Sequence, residues 1–211
     1  MNENRTKRND LLAETVINNL AKRNMAGYYA HDKDEALKIA LSLIPEGSTV
    51  CRGGSMSVNE IGLNEALVEG NYNFVNRETL KSEEKMAADK LAYNADVYLA
   101  SANAVSVDGV LVNIDGNANR VSCIANGPKK VILIVGMNKI AGDVDAALKR
   151  ARNEAATCNT QRFGLNTPCT KTGSCLNCLS PDTICCQFLF TRYSRHTGRI
   201  HVILVNENLG F

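Results

Sequence analysis

The chain carries almost no net charge: 24 Lys+Arg stand against 22 Asp+Glu, a formal balance of +2 over 211 residues. No basic field exists that would draw a nucleic acid or a membrane surface. Long apolar runs are missing too. The longest, Val131–Met137, has seven residues, where about 20 are needed to cross a bilayer. The stretch from Met1 to Asp10 is charged, includes acids and lacks an apolar signal core, so a soluble, cytoplasmic protein is expected. Internal repeats and low-complexity tracts are absent. Neither GxGxxG nor a P-loop occurs, and no G-x-S-x-G elbow supports a hydrolase. His31, His196 and His201 have no metal-like or catalytic spacing and read as surface or strand residues.

What is present is ordinary globular composition, 45% hydrophobic and 22% charged, in a length that fits one domain with a proper core. Leu11, Leu12, Val16, Ile17, Leu20 and Ala21 predict an amphipathic helix over about 6–25, followed by a short strand at Met25–Ala30. Helices are expected at about 34–43, 58–69, 81–93 and, capped by Asp143, to about 156. In the 58–69 helix, Ser57 and Glu60 form a capping-box pattern, flanked by Met56 and Ile61 at staple positions. Strands are expected at 48–51, 96–101, 187–193 and 200–205, with a hairpin over 105–114 turning at Asp108-Gly109. Val131–Val135 is continuously apolar, as in a strand buried on both faces of a parallel sheet. The alternation predicts an α/β domain with helices on both sheet faces. Residues 159–186 interrupt it as a Cys-rich loop within this single domain over 1–211.

Eight cysteines are many for a chain of this size, and five of them, Cys169, Cys175, Cys178, Cys185 and Cys186, crowd into eighteen residues. In a reducing cytosol such a cluster reads as metal-binding or redox before it reads as disulfides. Cys169, Cys175, Cys178 and Cys185 supply the four thiolates that zinc or an iron–sulfur cluster needs, with Cys186 as a substitute. The spacing matches neither a bacterial ferredoxin run nor a zinc ribbon.

Three other places invite an anion. Arg52-Gly53-Gly54-Ser55 joins a strand to a helix start, where backbone amides and Arg52 can meet negative charge. The same glycines also suit a tight turn alone. Asn113, Asp115 and Arg120 follow an apolar strand, where open α/β sheets bind ligands. A calcium loop there is excluded, since Arg120 and Asn126 occupy the positions that need glycine and glutamate. Lys139 sits just past the Val131–Val135 strand, able to pair with a carboxylate or phosphate.

Six stretches in one order resemble the LUD-domain family, the lactate-utilisation proteins, and specifically its small stand-alone members. They are Gly53–Gly62, Ser101–Ala104, Asn113–Gly116 with Asn119-Arg120, Gly127–Lys130, Gly136–Ile140 and Val202–Phe211. The likeness spans about 10–211, with Ala118 standing where glycine is expected. It implies a three-layer α/β/α fold with a mainly parallel sheet, similar to the ribose-5-phosphate isomerase, glucosamine-6-phosphate deaminase and CoA-transferase group. It also implies a part in oxidising lactate to pyruvate beside iron–sulfur partner proteins. The leading expectation is a protein that binds a small anionic metabolite over Arg52–Ser55, the Asn113–Arg120 loop and Lys139. The alternatives are a metal-binding or electron-transfer subunit, and an isomerase or acyl-transfer enzyme on a phosphorylated or CoA-linked substrate.

Overall fold

A computed structural model describes residues 3–211. In chain order its elements begin with α1 (Glu3–Lys22), β1 (Ala26–Ala30), α2 (Lys33–Ser42), β2 (Thr49–Arg52), α3 (Met56–Glu60) and α4 (Leu63–Glu69). Next come β3 (Asn73–Asn76), α5 (Ser82–Tyr93), β4 (Val97–Ala100), β5 (Ala104–Ser106), β6 (Leu111–Asp115) and α6 (Asn119–Ala125). The rest are β7 (Lys130–Gly136), β8 (Ile140–Ala141), α7 (Val144–Arg150), α8 (Thr157–Arg162), α9 (Pro168–Thr172), β9 (Gln187–Thr191) and β10 (Ile200–Val205).

Six strands form a parallel sheet in the order β1-β10-β7-β4-β2-β3. Period-two alternation along β7 divides its side chains between two cores. Val131, Leu133 and Val135 meet Ala13, Val16 and Leu20 of α1 and Ile124 of α6. Ile132 and Ile134 face the opposite way, towards Ala36 and Ala40 of α2, Val58 of α3 and Leu63 of α4. Both faces of the strand are therefore covered, as its unbroken apolar run predicts, and the architecture is α/β/α. A second sheet, β8-β5-β6-β9, contains the expected hairpin, with Gly109 at φ 87° in its turn. It packs Ala104, Val112 and Ile114 against Ala147 and Ala151 of the helix that Asp143 caps.

Three expectations need correcting. The helix predicted over 58–69 is two helices, because Gly62 takes φ 73° and breaks the run between α3 and α4. Its cap is Ser55, whose Oγ accepts from the Val58 amide at 3.4 Å, and not Ser57. The chain enters the helix two residues early, and the Ser57 hydroxyl sinks into the interior. Residues 159–186 are not structureless throughout. The helix from Asp143 continues through a π-helical stretch, Ala151–Ala156, into α8, and Pro168 at the first turn opens α9. The last two strands, both expected, join different sheets: β9 pairs with β6, while β10 inserts between β1 and β7. Polar Asn119–Ala125, adjoining the presumed loop, is α6, and β3 at Asn73–Asn76 also lay outside the periodicity. Among the described residues, no helix is long and apolar enough to cross a membrane.

Candidate functional site

Parallel strands leave the ends of their connections on one edge of the sheet. Here the residues following β2, β4 and β7, joined by those following β6 of the second sheet, open on a cavity of about 360 Å³. The position agrees with the general rule that open α/β sheets bind ligands beyond their strand C-termini.

Lys139 ends a short 3-10 turn after β7 and is only 3% exposed, yet its ammonium borders the cavity. Its Nζ donates to Ser57 Oγ and Ser101 Oγ, each at 3.0 Å. Burial is the main cause that brings its pKa down to about 7, with Arg150 and Arg120 acting in the same direction and Glu60 against them.

Arg120, in the first turn of α6, is spent on the protein itself. Its guanidinium donates to Ser101 O (3.1 Å), Asn113 Oδ1 (2.7 Å), Asn103 Oδ1 (3.0 Å) and Ile114 O (2.6 Å). These bonds tie the strand ends of β4 and β6 together under the cavity. Asp115 accepts from the amides of Asn117, Arg120 and Val121 at 3.0–3.1 Å, holding the turn that starts α6. That turn passes through Ala118 at φ 61°.

Arg52 is 2% exposed and turned inward. It donates to Gly53 O at 3.1 Å, to Ser55 O at 3.4 Å, and to the side chains of Asn59 and Glu78. Gly53 is required for close approach, since a Cβ there would collide with the Tyr98 hydroxyl and stand 3.3 Å from Arg120 Cγ. α3 has only five residues, so little macrodipole is gathered at its start. Of the eight ligand residues expected from the sequence, Gly54, Ser55, Asp115, Arg120 and Lys139 border the cavity. Arg52, Gly53 and Asn113 instead hold the loops from behind.

Three cations that the sequence reasoning missed also border it: Arg77, Lys85 and Arg162. Arg77 is held by Asp89 through bonds of 2.6 and 3.1 Å. Arg162 comes from α8, at the start of the segment read as a loop, and lies 3.7 Å from Glu78 Oε1. Its Nε is buried without a hydrogen-bond partner among the described residues. The signal that could have found it is the apolar series Ala147, Ala151, Ala155, whose four-residue spacing carries the helix on towards Arg162.

All eight cysteines are free thiols. Cys169 Sγ lies 3.3 Å from Thr160 Oγ1 and 3.2 Å from Thr167 Oγ1, and Cys175 Sγ accepts from Arg152 Nη2 at 3.5 Å. Burial pushes the Cys185 thiol up to about 11, and repulsion from Cys175, Cys169 and Cys178 adds to it. Among the described residues, however, no three His, Cys, Asp or Glu side chains stand gathered around one point as a metal would require.

Comparison with known proteins agrees with this fold. A DUF162-family protein from Deinococcus radiodurans has a similar fold, with a TM-score of 0.55 at 13% identity, covering 94% of this chain and 98% of the other. No curated protein matches. The model of the LUD domain matches residues 13–205, which include every strand of the central sheet and all the cavity-bordering cations named above, and the chain belongs to the LUD-domain family.

Proposed function

We propose that the cavity binds a small anionic metabolite, a carboxylate of the lactate or pyruvate class, and that the protein takes part in oxidising lactate to pyruvate. The observation that carries this reading is Arg162, which borders the cavity with Arg77, Lys85 and Lys139 and whose Nε is a buried donor without a partner among the described residues. A buried unsatisfied donor costs free energy, and a carboxylate oxygen would relieve that cost with a charge-assisted bond. Gly54 and Ser55 leave backbone close to the same space. Two electrons and two protons leave lactate on oxidation; iron–sulfur partner proteins are the acceptor in this reading. Eight free thiols suit a reducing, cytoplasmic setting.

Calorimetric titration with lactate, pyruvate and inorganic phosphate tests the site. Saturable binding of at least one carboxylate is expected, weakened about 10- to 100-fold in Arg162→Gln, the range of one charge-assisted bond. Absence of carboxylate binding at millimolar concentration, or unchanged affinity in the variant, overturns the reading.

The crowding of Cys169, Cys175, Cys178, Cys185 and Cys186 into eighteen residues supports a second reading, in which this segment closes on an iron–sulfur cluster or zinc. The thiols would have to draw together from their present positions and lose their protons. Anaerobically purified protein should then hold close to one equivalent of zinc or one cluster, lost on Cys178→Ser. Less than a tenth of an equivalent, with the thiols all titratable, refutes it.

A further inference from the structure

Two hydroxyls and one amine meet at the base of the cavity without a carboxylate between them. Lys139 Nζ is 3.0 Å from Ser101 Oγ and 3.0 Å from Ser57 Oγ. Each comes from a different strand end: Ser101 directly follows β4, Lys139 follows β7, and Ser57 lies in α3 beyond β2. The two serines differ in access. Ser101 borders the cavity together with Lys139, whereas Ser57 is fully buried behind them.

We propose that Ser101 is a nucleophile activated by Lys139, with Ser57 as a positioning residue, giving the protein an acyl-transfer or hydrolytic activity on small anionic esters or thioesters. The proposal goes beyond lactate binding and does not depend on it. A serine hydroxyl is a weak nucleophile until a base within hydrogen-bond reach takes its proton, and lysine serves as that base in Ser–Lys systems. Distance satisfies the first requirement. The amine must also be uncharged near neutrality, and the burial that lowers the Lys139 pKa to about 7 meets this second requirement. In the resting arrangement both hydroxyls accept from the amine; once it has lost its extra proton, Ser57 can go on accepting one hydrogen while the freed lone pair turns to Ser101. At rest the Ser101 hydroxyl also donates to Ala102 O at 3.2 Å, and it must turn from that carbonyl to Lys139 for attack.

The step balances. Ser101 Oγ bonds to the acyl carbon while its proton passes to Lys139 Nζ. The carbon–oxygen or carbon–sulfur bond to the leaving group breaks, and Lys139 returns the proton to the departing alkoxide or thiolate. Water, or another hydroxyl or thiol, then attacks the serine ester and gives its proton to Lys139; the bond from the acyl carbon to Ser101 Oγ breaks, and Lys139 passes that proton to Oγ, restoring the hydroxyl and the free amine. No oxidant or metal is needed. Arg162 and Lys85 border the same space and would attract a substrate that carries a carboxylate or phosphate.

The test is covalent. The intact protein is treated with a fluorophosphonate and, separately, with para-nitrophenyl acetate, and the adduct is mapped by peptide mass spectrometry. A single adduct on Ser101 is expected, with an apparent pKa near 7 for its formation. Labelling should fall at least 100-fold in Lys139→Met and vanish in Ser101→Ala. Ser57→Ala should retain labelling but shift its pH profile, a change that mere loss of packing would not produce. Because the mapping is made first on the unmutated protein, failure of a variant to fold does not rescue the idea. No adduct on the folded protein, or an adduct on Cys158, Cys186 or Lys139 instead of Ser101, overturns it.

Discussion

An amine held between two hydroxyls, with Arg150 and Arg120 nearby, is a poor place for a proton, and Lys139 pays for its position in stability. The sign follows from linkage. Its folded pKa, about 7, lies below the unfolded value of about 10.4. Between those limits the unfolded chain keeps the proton and the native chain does not, so stability rises with pH across the window. Other groups titrate there too, which makes the difference between wild type and Lys139→Met the informative quantity. Relative to the variant, wild type should gain up to about 2 kcal/mol between about pH 7 and pH 9, read from urea unfolding midpoints. A difference that stays flat would mean that Lys139 keeps its charge. The place of Lys139 beside the cavity was legible because a lysine just after an apolar strand lands at the edge of the sheet where the strands end. The inward turn of Arg52 was not, since its partners Asn59 and Glu78 come together only through folding.

Helix α6 depends on how it is entered. Asp115 gathers three amides of the incoming turn, and Ala118 must adopt the left-handed conformation for that turn to close. For an L-residue with a Cβ this costs roughly 1–2 kcal/mol, a penalty glycine escapes. Ala118→Gly should therefore stabilise the protein by about 1 kcal/mol and raise its Tm by about 2–4 °C. A lower Tm would mean that the alanine methyl contributes more in packing than its backbone loses in strain. The element itself escaped sequence reading because Asn113–Arg120 is dominated by turn formers, and its apolar face, Val121, Cys123 and Ile124, is too short for helical periodicity to register. The cap of α3 illustrates a different limit. Ser57 and Glu60 have capping-box spacing, but Ser57 Oγ receives Lys139 and Glu60 Oε2 accepts from the Gly210 amide at 3.0 Å. Tertiary partners took both groups that local geometry offered to the helix.

At the level of the molecule, the layered architecture was readable from β7 alone, since a strand apolar on both faces demands cover on both. Strand order was not readable, because parallel neighbours are chosen by crossovers that leave little trace in local pattern. That order has a kinetic side. β1, near residue 26, and β7, near residue 130, are not neighbours; β10, some seventy residues further on than β7, is the strand that joins them. During synthesis on the ribosome both would wait with bare hydrogen-bonding edges, apolar and facing one another across a missing strand. Contacts this distant in sequence slow folding, and open edges invite wrong partners meanwhile. The last of these six strands to emerge is the one that seals the sheet, so a nascent chain halted before residue 200 holds most of its core residues but leaves β1 cut off from the paired block β7-β4-β2-β3.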